Sequence, residues 1–242
     1  NQGFFISCFP ISLPFQTMKP LLAVFVSFLF LKGINAQQAL NLTASPQWVN
    51  IHDLDVPGTQ LTVEALFYRR PGSGPNLVSK HTGPPNVNYL LRPTTFEITT
   101  GGSGFNQMPN PFPVQDNTWY HIAGTYDGSY IRYYLNGCLI VEQAWNGNMV
   151  TNNLKTSIGN ISSSPYAEQF LGMIDEVRVW NVARTQAQIQ ANMTSLPNPT
   201  TQTGLLAYYQ FEGNLINAQG NATWNGTAVG AISYATANAN LQ

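Results

Sequence analysis

The segment Trp119 to Asn136, WYHIAGTYDGSYIRYYLN, leaves this chain few folds to choose from. Its side chains alternate, with Tyr120, Ile122, Gly124 and Tyr126 on one side and Trp119, His121, Ala123 and Thr125 on the other. Asp127-Gly128 then interrupts the run. The pair tolerates positive φ, which predicts a type I′ hairpin turn that sends the chain back through Tyr130 to Leu135. Asn136-Gly137 predicts a second such turn into Cys138-Leu139-Ile140-Val141. Two tight turns between three short β-rich runs describe an antiparallel meander, and a period of 3.6 does not fit these residues as well.

Further strands are expected on both sides. Ala39 to Leu42 and Trp48 to Ile51, parted by a Ser-Pro turn, read as the first edge of a sandwich. Gln60 to Tyr68 places Val63, Ala65 and Phe67 one way and Thr62, Glu64, Leu66 and Tyr68 the other. Leu77 to Lys80, Tyr89 to Arg92 and Phe96 to Thr99 follow, broken by glycine and proline. Gly101 to Pro113 has no period and reads as a surface loop at a rim. Lys155 to Gly159, Phe170 to Trp180 and Gly204 to Phe211 complete the strand set, while the tail from Asn214 is weakly patterned. One short helix is expected near 185–194, with Thr185 capping it, Gln188 reaching back and Ile189 packing inward. Pro197 stops it.

These pieces, in this order, resemble laminin G-like and concanavalin A-like jelly-roll domains. The resemblance rests on Leu61-Thr62-Val63-Glu64-Ala65, the Trp119–Gly137 segment, Ser157-Ile158-Gly159-Asn160, Phe170 to Asn181 and Gly204 to Phe211, and covers roughly residues 39 to 236. Leu66 stands where the family usually has Trp. The fold implied is all-β, an antiparallel two-sheet jelly-roll sandwich, and such a fold hosts many functions.

Met18-Lys19 followed by the apolar run Leu21 to Leu31 and by Gly33-Ile34-Asn35-Ala36 has the form of a secretory signal peptide, too short for a comfortable membrane span. An uncleaved anchor is the alternative. Residues 1–17 are then upstream sequence, 18–36 the signal and 37–242 the domain, with no stable membrane span after cleavage. Of the two cysteines, Cys8 precedes the expected cut, which leaves Cys138 as a small buried side chain without an intrachain partner. The absence of paired cysteines points to a bacterial exported protein. Only 9% of residues are charged and the net charge is -1, which excludes a phosphate-neutralising nucleic-acid binder.

Four chemistries could be housed on such a chain. Jelly-roll glucanases carry alternate carboxylates on one strand, about 5 Å apart when they retain configuration. The corresponding strand here is Met173-Ile174-Asp175-Glu176-Val177, where adjacent acids in a regular strand point to opposite faces. A structural reading, with Asp175 or Glu176 paired to Arg178 or to a neighbouring loop, is preferred, so an enzyme is not expected. His52, His81 and His121 belong to no nucleophile or metal motif. For calcium, the resemblance implies Asn88, before Tyr89-Leu90, and Asp127, in the turn after the central strand. For carbohydrate or a cell-surface protein, Tyr126, Tyr130 and Trp145 are the candidate aromatic platforms. The expectation is a secreted or cell-surface binding or adhesion module; a glycoside hydrolase and a structural part of a larger surface protein are the alternatives.

Overall fold

The computed structural model describes residues 37–161, 168–239 and 241. The expected upstream segment and signal peptide lie outside the described residues. In chain order the strands are β1 (Gln38–Leu42), β2 (Trp48–Ile51), β3 (Leu61–Arg69), β4 (Val78–His81), β5 (Val87–Arg92), β6 (Thr95–Thr100), β7 (Gly104–Pro109), β8 (Trp119–Tyr126), β9 (Tyr130–Leu135), β10 (Cys138–Ala144), β11 (Thr156–Ile158), β12 (Gly172–Trp180), β13 (Leu205–Tyr209), β14 (Thr227–Val229) and β15 (Ser233–Thr236). The helix α1 (Gln186–Ala191) lies between β12 and β13. The first sheet runs β10-β9-β8-β3-β12-β1-β15, with β13 also on β12, and the second runs β14-β2-β11-β4-β5-β6-β7; every pairing is antiparallel. This is the expected two-sheet sandwich. Val63, Ala65, Phe67, Ile122, Tyr126 and Val177 of the first sheet pack with Val78, Tyr89, Leu91, Phe96 and Ile98 of the second. At Gly124 the sheets approach so closely that a Cβ would lie 2.2 Å from the Phe96 ring.

Several expectations change. The first hairpin turn has Gly128 at φ 88 as its only left-handed residue; Asp127 pairs with Tyr130 instead of occupying the turn centre. Glycine at the first central position is what a type II′ turn requires. The second turn keeps its predicted form, with Asn136 at φ 47 and Gly137 at φ 74. Gly101 to Pro113 is not all loop, because Gly104 to Pro109 forms β7, an edge partner of β6 that buries Asn106 and Met108. β1 and β2 are not an outer edge: the weakly patterned tail supplies β15 and β14, which cover them. Cys138 is buried, as expected. Among the described residues no helix is long and apolar enough to cross a membrane.

The outer face of the first sheet is also covered. Thr62, Glu64, His121, Ala123, Thr125 and Arg178 all point away from the sandwich core and are fully buried. Over them lies the segment that carries α1, whose Ile189 packs on Ala123 and Tyr134. Thr185 and Gln188 form the reciprocal cap expected from the sequence.

Candidate functional site

The β8–β9 hairpin, the end of β10 and the turn after β6 meet at one rim of the sandwich. Tyr126 anchors it from below: fully buried, it donates its hydroxyl to the Gly147 carbonyl at 2.7 Å. Gly147, at φ 98, lies where a Cβ would come within 2.4 Å of the Gly101 carbonyl oxygen, so the 145–148 loop lies directly on the β6–β7 turn. Asn146 fastens the two, accepting from Ser103 Oγ through its side chain and from Thr100 Oγ1 through its carbonyl, each at 2.7 Å. Trp145 donates its backbone N–H to Ser129.

Asp127 organises the hairpin tip. Its Oδ1 accepts from the N–H groups of Ser129 and Tyr130 at 2.8 and 2.7 Å, and its Oδ2 accepts from Arg132 at 2.6 Å. Burial works against its charge, but the Arg132 bond and the two backbone donors hold the carboxyl below the usual range. Arg132 also reaches Glu142 at 3.0 Å and lies 5.0 Å from the centre of the Tyr130 ring. Tyr130 is 41% exposed.

These elements enclose a cleft of about 320 Å³ lined by Ser103, Gly128, Ser129, Ala144, Trp145 and Asn146. Its lining carries no ionisable side chain. Trp145 is half-buried, and its indole N–H is buried without a partner. Tyr130 sits beside the cleft, opposite Ala144 in the β9–β10 ladder. Of the three aromatic residues singled out in the sequence, Trp145 thus lines the cleft, Tyr130 borders it and Tyr126 supports it.

Asn88 lies elsewhere, fully buried, with Oδ1 accepting from Val56 N–H at 2.9 Å and Nδ2 donating to the carbonyls of Val56 and Val150 at 3.1 and 2.6 Å. It shares no hydrogen-bond partner with Asp127. Both polar atoms of its side chain bond the chain itself.

The acids of β12 behave differently from expectation. Asp175 pairs with Leu66 and Arg178 with Glu64, so one extra residue is inserted in β12, and Glu176 takes φ 51. This bulge turns both acids to the outer face, correcting their assignment to opposite faces. They are nevertheless internal, at 0% and 2% exposure. Glu176 is bonded by Arg178 and by the Tyr208 hydroxyl, and Asp175 accepts from Gln37 Nε2 at 2.8 Å. Glu64 joins the cluster through Arg178, Trp180 Nε1 and His121. Burial, reinforced by the Glu176 charge, pushes Asp175 up to about 8. Burial also raises Glu176 to about 7 against the opposing Arg178. Glu64, despite burial, is held at about 2 chiefly by Arg178.

A second cleft, of about 360 Å³, was not foreseen. Tyr68, Trp119 and Met173 form part of its lining, Asn117 and Asn238 contribute amides, and the Tyr68 and Trp119 rings lie 5.8 Å apart. The strand alternation set Tyr68 apart from Val63 and Trp119 apart from Tyr126 without deciding which face is outer, and nothing in the weak tail signalled the wall they meet.

Residues 43–190 match the family model described as the concanavalin A-like lectin/glucanases superfamily. Over 77 residues the chain is 32% identical to mouse (Mus musculus) pappalysin-1, a match that covers 31% of this chain and spans only 5% of that protein. Among solved structures, a candidate carbohydrate-binding protein from Bacteroides ovatus superposes with a TM-score of 0.66 at 23% identity, over 86% of this chain and 62% of the other. The heptameric SAP-like pentraxin of Limulus polyphemus superposes with a TM-score of 0.54 at 12% identity, over 85% and 98% of the two chains. At these identities the structural likeness is one of fold.

Proposed function

The chain belongs to the concanavalin A-like lectin/glucanases superfamily, and from that premise we propose that it is a secreted, non-catalytic binding module that takes a glycan in the rim cleft beside Trp145. The observation that carries this reading is the half-buried ring of Trp145 in a cleft lined by hydroxyl, amide and backbone groups with no charge. A sugar presents an apolar C–H face to an aromatic ring and hydroxyls to such groups, so it satisfies both kinds of surface at once. The Bacteroides protein named above as a candidate carbohydrate binder supports the same class of ligand. Against hydrolysis, Asp175, Glu176 and Glu64 are buried, and Asp175 Oδ2, Glu176 Oε2 and Glu64 Oε1 are each bonded by the chain's own side chains.

The test is a titration of the protein with a polysaccharide panel, read by tryptophan fluorescence and by thermal melting, since a ligand that binds only the folded state raises the midpoint. Trp145→Ala is expected to weaken binding roughly 10-fold or more and Tyr130→Ala less. Release of reducing sugar would overturn the non-catalytic reading, and undiminished binding by Trp145→Ala would overturn the cleft. Calcium at Asp127 is tested in the same melt, as a calcium-dependent shift that Asp127→Asn abolishes. Export is tested by sequencing the secreted chain, which is expected to begin at Gln37.

A further inference from the structure

Lys80 occupies an unusual position for a lysine. It shares the alternation of Val78, which faces the sandwich core, and its side chain is 0% exposed. A lysine so placed must run its stem through the interior and find partners for its ammonium at the end. The partners are oxygens of two rim loops. Asp53 Oδ1 lies 2.5 Å from Nζ, Leu154 O 2.7 Å, Asn152 O 3.0 Å, Asp55 Oδ1 3.1 Å and Asn152 Oδ1 3.3 Å. An ammonium has three N–H donors, so five oxygens around it exceed what it can hydrogen-bond one to one.

The set comprises two carboxylates, one side-chain amide oxygen and two backbone carbonyls, without nitrogen or sulfur. That is the kind of donor set a hard divalent cation gathers, calcium taking 6–8 oxygens at about 2.3–2.6 Å. The oxygens are also held from outside. Asn152 Oδ1 accepts from Leu154 N–H at 3.1 Å, Asn152 N–H reaches Asp55 Oδ1 at 3.3 Å, and Asn152 Nδ2 reaches Lys80 O at 3.4 Å. Two carboxylates against one ammonium leave the cage with a formal charge of minus one, and a divalent ion in place of the ammonium would bring it to zero.

We infer that Lys80 is a tethered cation filling a calcium-type oxygen cage, so that the 53–55 and 152–154 loops are fixed by the chain's own ammonium and not by a metal. The cage shares no residue with Asn88 or Asp127. Taking away the amine while leaving space should turn it into a divalent-cation site.

The experiment compares the melting of the full chain with Lys80→Ala and Lys80→Met, each in chelator and in millimolar calcium. Lys80→Ala in chelator is expected to melt roughly 10 °C below the parent, since it empties a buried position and removes the ammonium that ties the 53–55 and 152–154 loops together. Calcium should restore at least half of that loss. Lys80→Met should be destabilised without rescue, because its side chain still fills the cage. Adding Asp53→Asn to Lys80→Ala should abolish the rescue. Equal calcium gains in the parent and Lys80→Ala, or no gain in Lys80→Ala, would overturn the inference. If Lys80→Ala does not fold in chelator, its refolding yield with and without calcium decides between the same outcomes. Amine acylation of the native parent adds an independent reading: Lys80 should stay unmodified while exposed Lys155 reacts, and equal reactivity would refute the cage.

Discussion

Asp175 and Glu176 owe their common surroundings to one inserted residue, and the stability of the protein against pH should show it. Asp175 rises from an ordinary 3.8 to about 8 on folding, so the folded state holds its proton more tightly than the unfolded chain does. The stability this contributes is full below about pH 4 and is lost as pH climbs towards 8. Glu64 has the opposite sign, falling from 4.5 to about 2, so its contribution is present above pH 4.5 and lost as pH falls towards 2. Buried His121, lowered by desolvation, adds to the loss on the acid side. The parent is therefore expected to be most stable in mild acid. Asp175→Asn keeps the shape and removes the titration, so its melting midpoint should fall less between pH 5 and pH 8 than the parent's does. Parallel curves would refute the assignment. At this scale the sequence was only partly legible: the pairing of Glu176 with Arg178 was foreseen, while the bulge was not, because an inserted residue shows only when the partner strand is in place.

At the scale of elements, the meander and α1 were legible because local chemistry decides them: alternation, Asn136-Gly137, and the Thr185–Gln188 cap. The structure adds that hairpin and helix are one unit. Gln190 Nε2 donates to the Gly137 carbonyl at 3.0 Å, and a Cβ on Gly137 would lie 2.7 Å from Gln190 Cγ. Gly137→Ala therefore meets two penalties, the left-handed φ of 74 and the push on α1. A loss of about 1–3 kcal/mol is expected by chemical denaturation. Asn136→Gly suits the same turn without touching the helix but loses the Oδ1 that accepts from His121 N–H at 2.9 Å, so it should cost about 1 kcal/mol and leave α1 unaffected. Hydrogen exchange should localise the Gly137→Ala effect to α1 as well as the turn. Of the candidate site, Trp145 and Tyr130 were legible as aromatic residues near turns; the cleft between them was not, since it depends on the β6–β7 turn, and β7 itself is an edge strand of Asn, Gln and Met with little pattern of its own.

Across the whole molecule, the least legible part of the chain closes both sheets. β14 lies on β2 and β15 on β1, and the tail is tied further by Gln47 Nε2 to the Ala231 carbonyl at 2.6 Å and by Ala237 N–H to the Gln37 carbonyl at 2.7 Å. Its residues carry few large apolar groups, so their pairing is set by edges that β1 and β2 would otherwise leave open, a long-range cause that local pattern cannot reveal. Ending the chain after Gly226 tests this, because it keeps the Tyr209–Trp224 bond and removes the two covering strands with the few residues that follow them. Exposed edges are templates for pairing with other chains. The shortened protein should melt at least roughly 10 °C lower, given several lost ladders and buried contacts, and should self-associate as its concentration rises. The Trp145 cleft lies among β8, β10 and the β6–β7 turn, so glycan binding per folded molecule should persist. A truncated chain that stayed monomeric and melted with the parent would show that the tail decorates the sandwich without closing it.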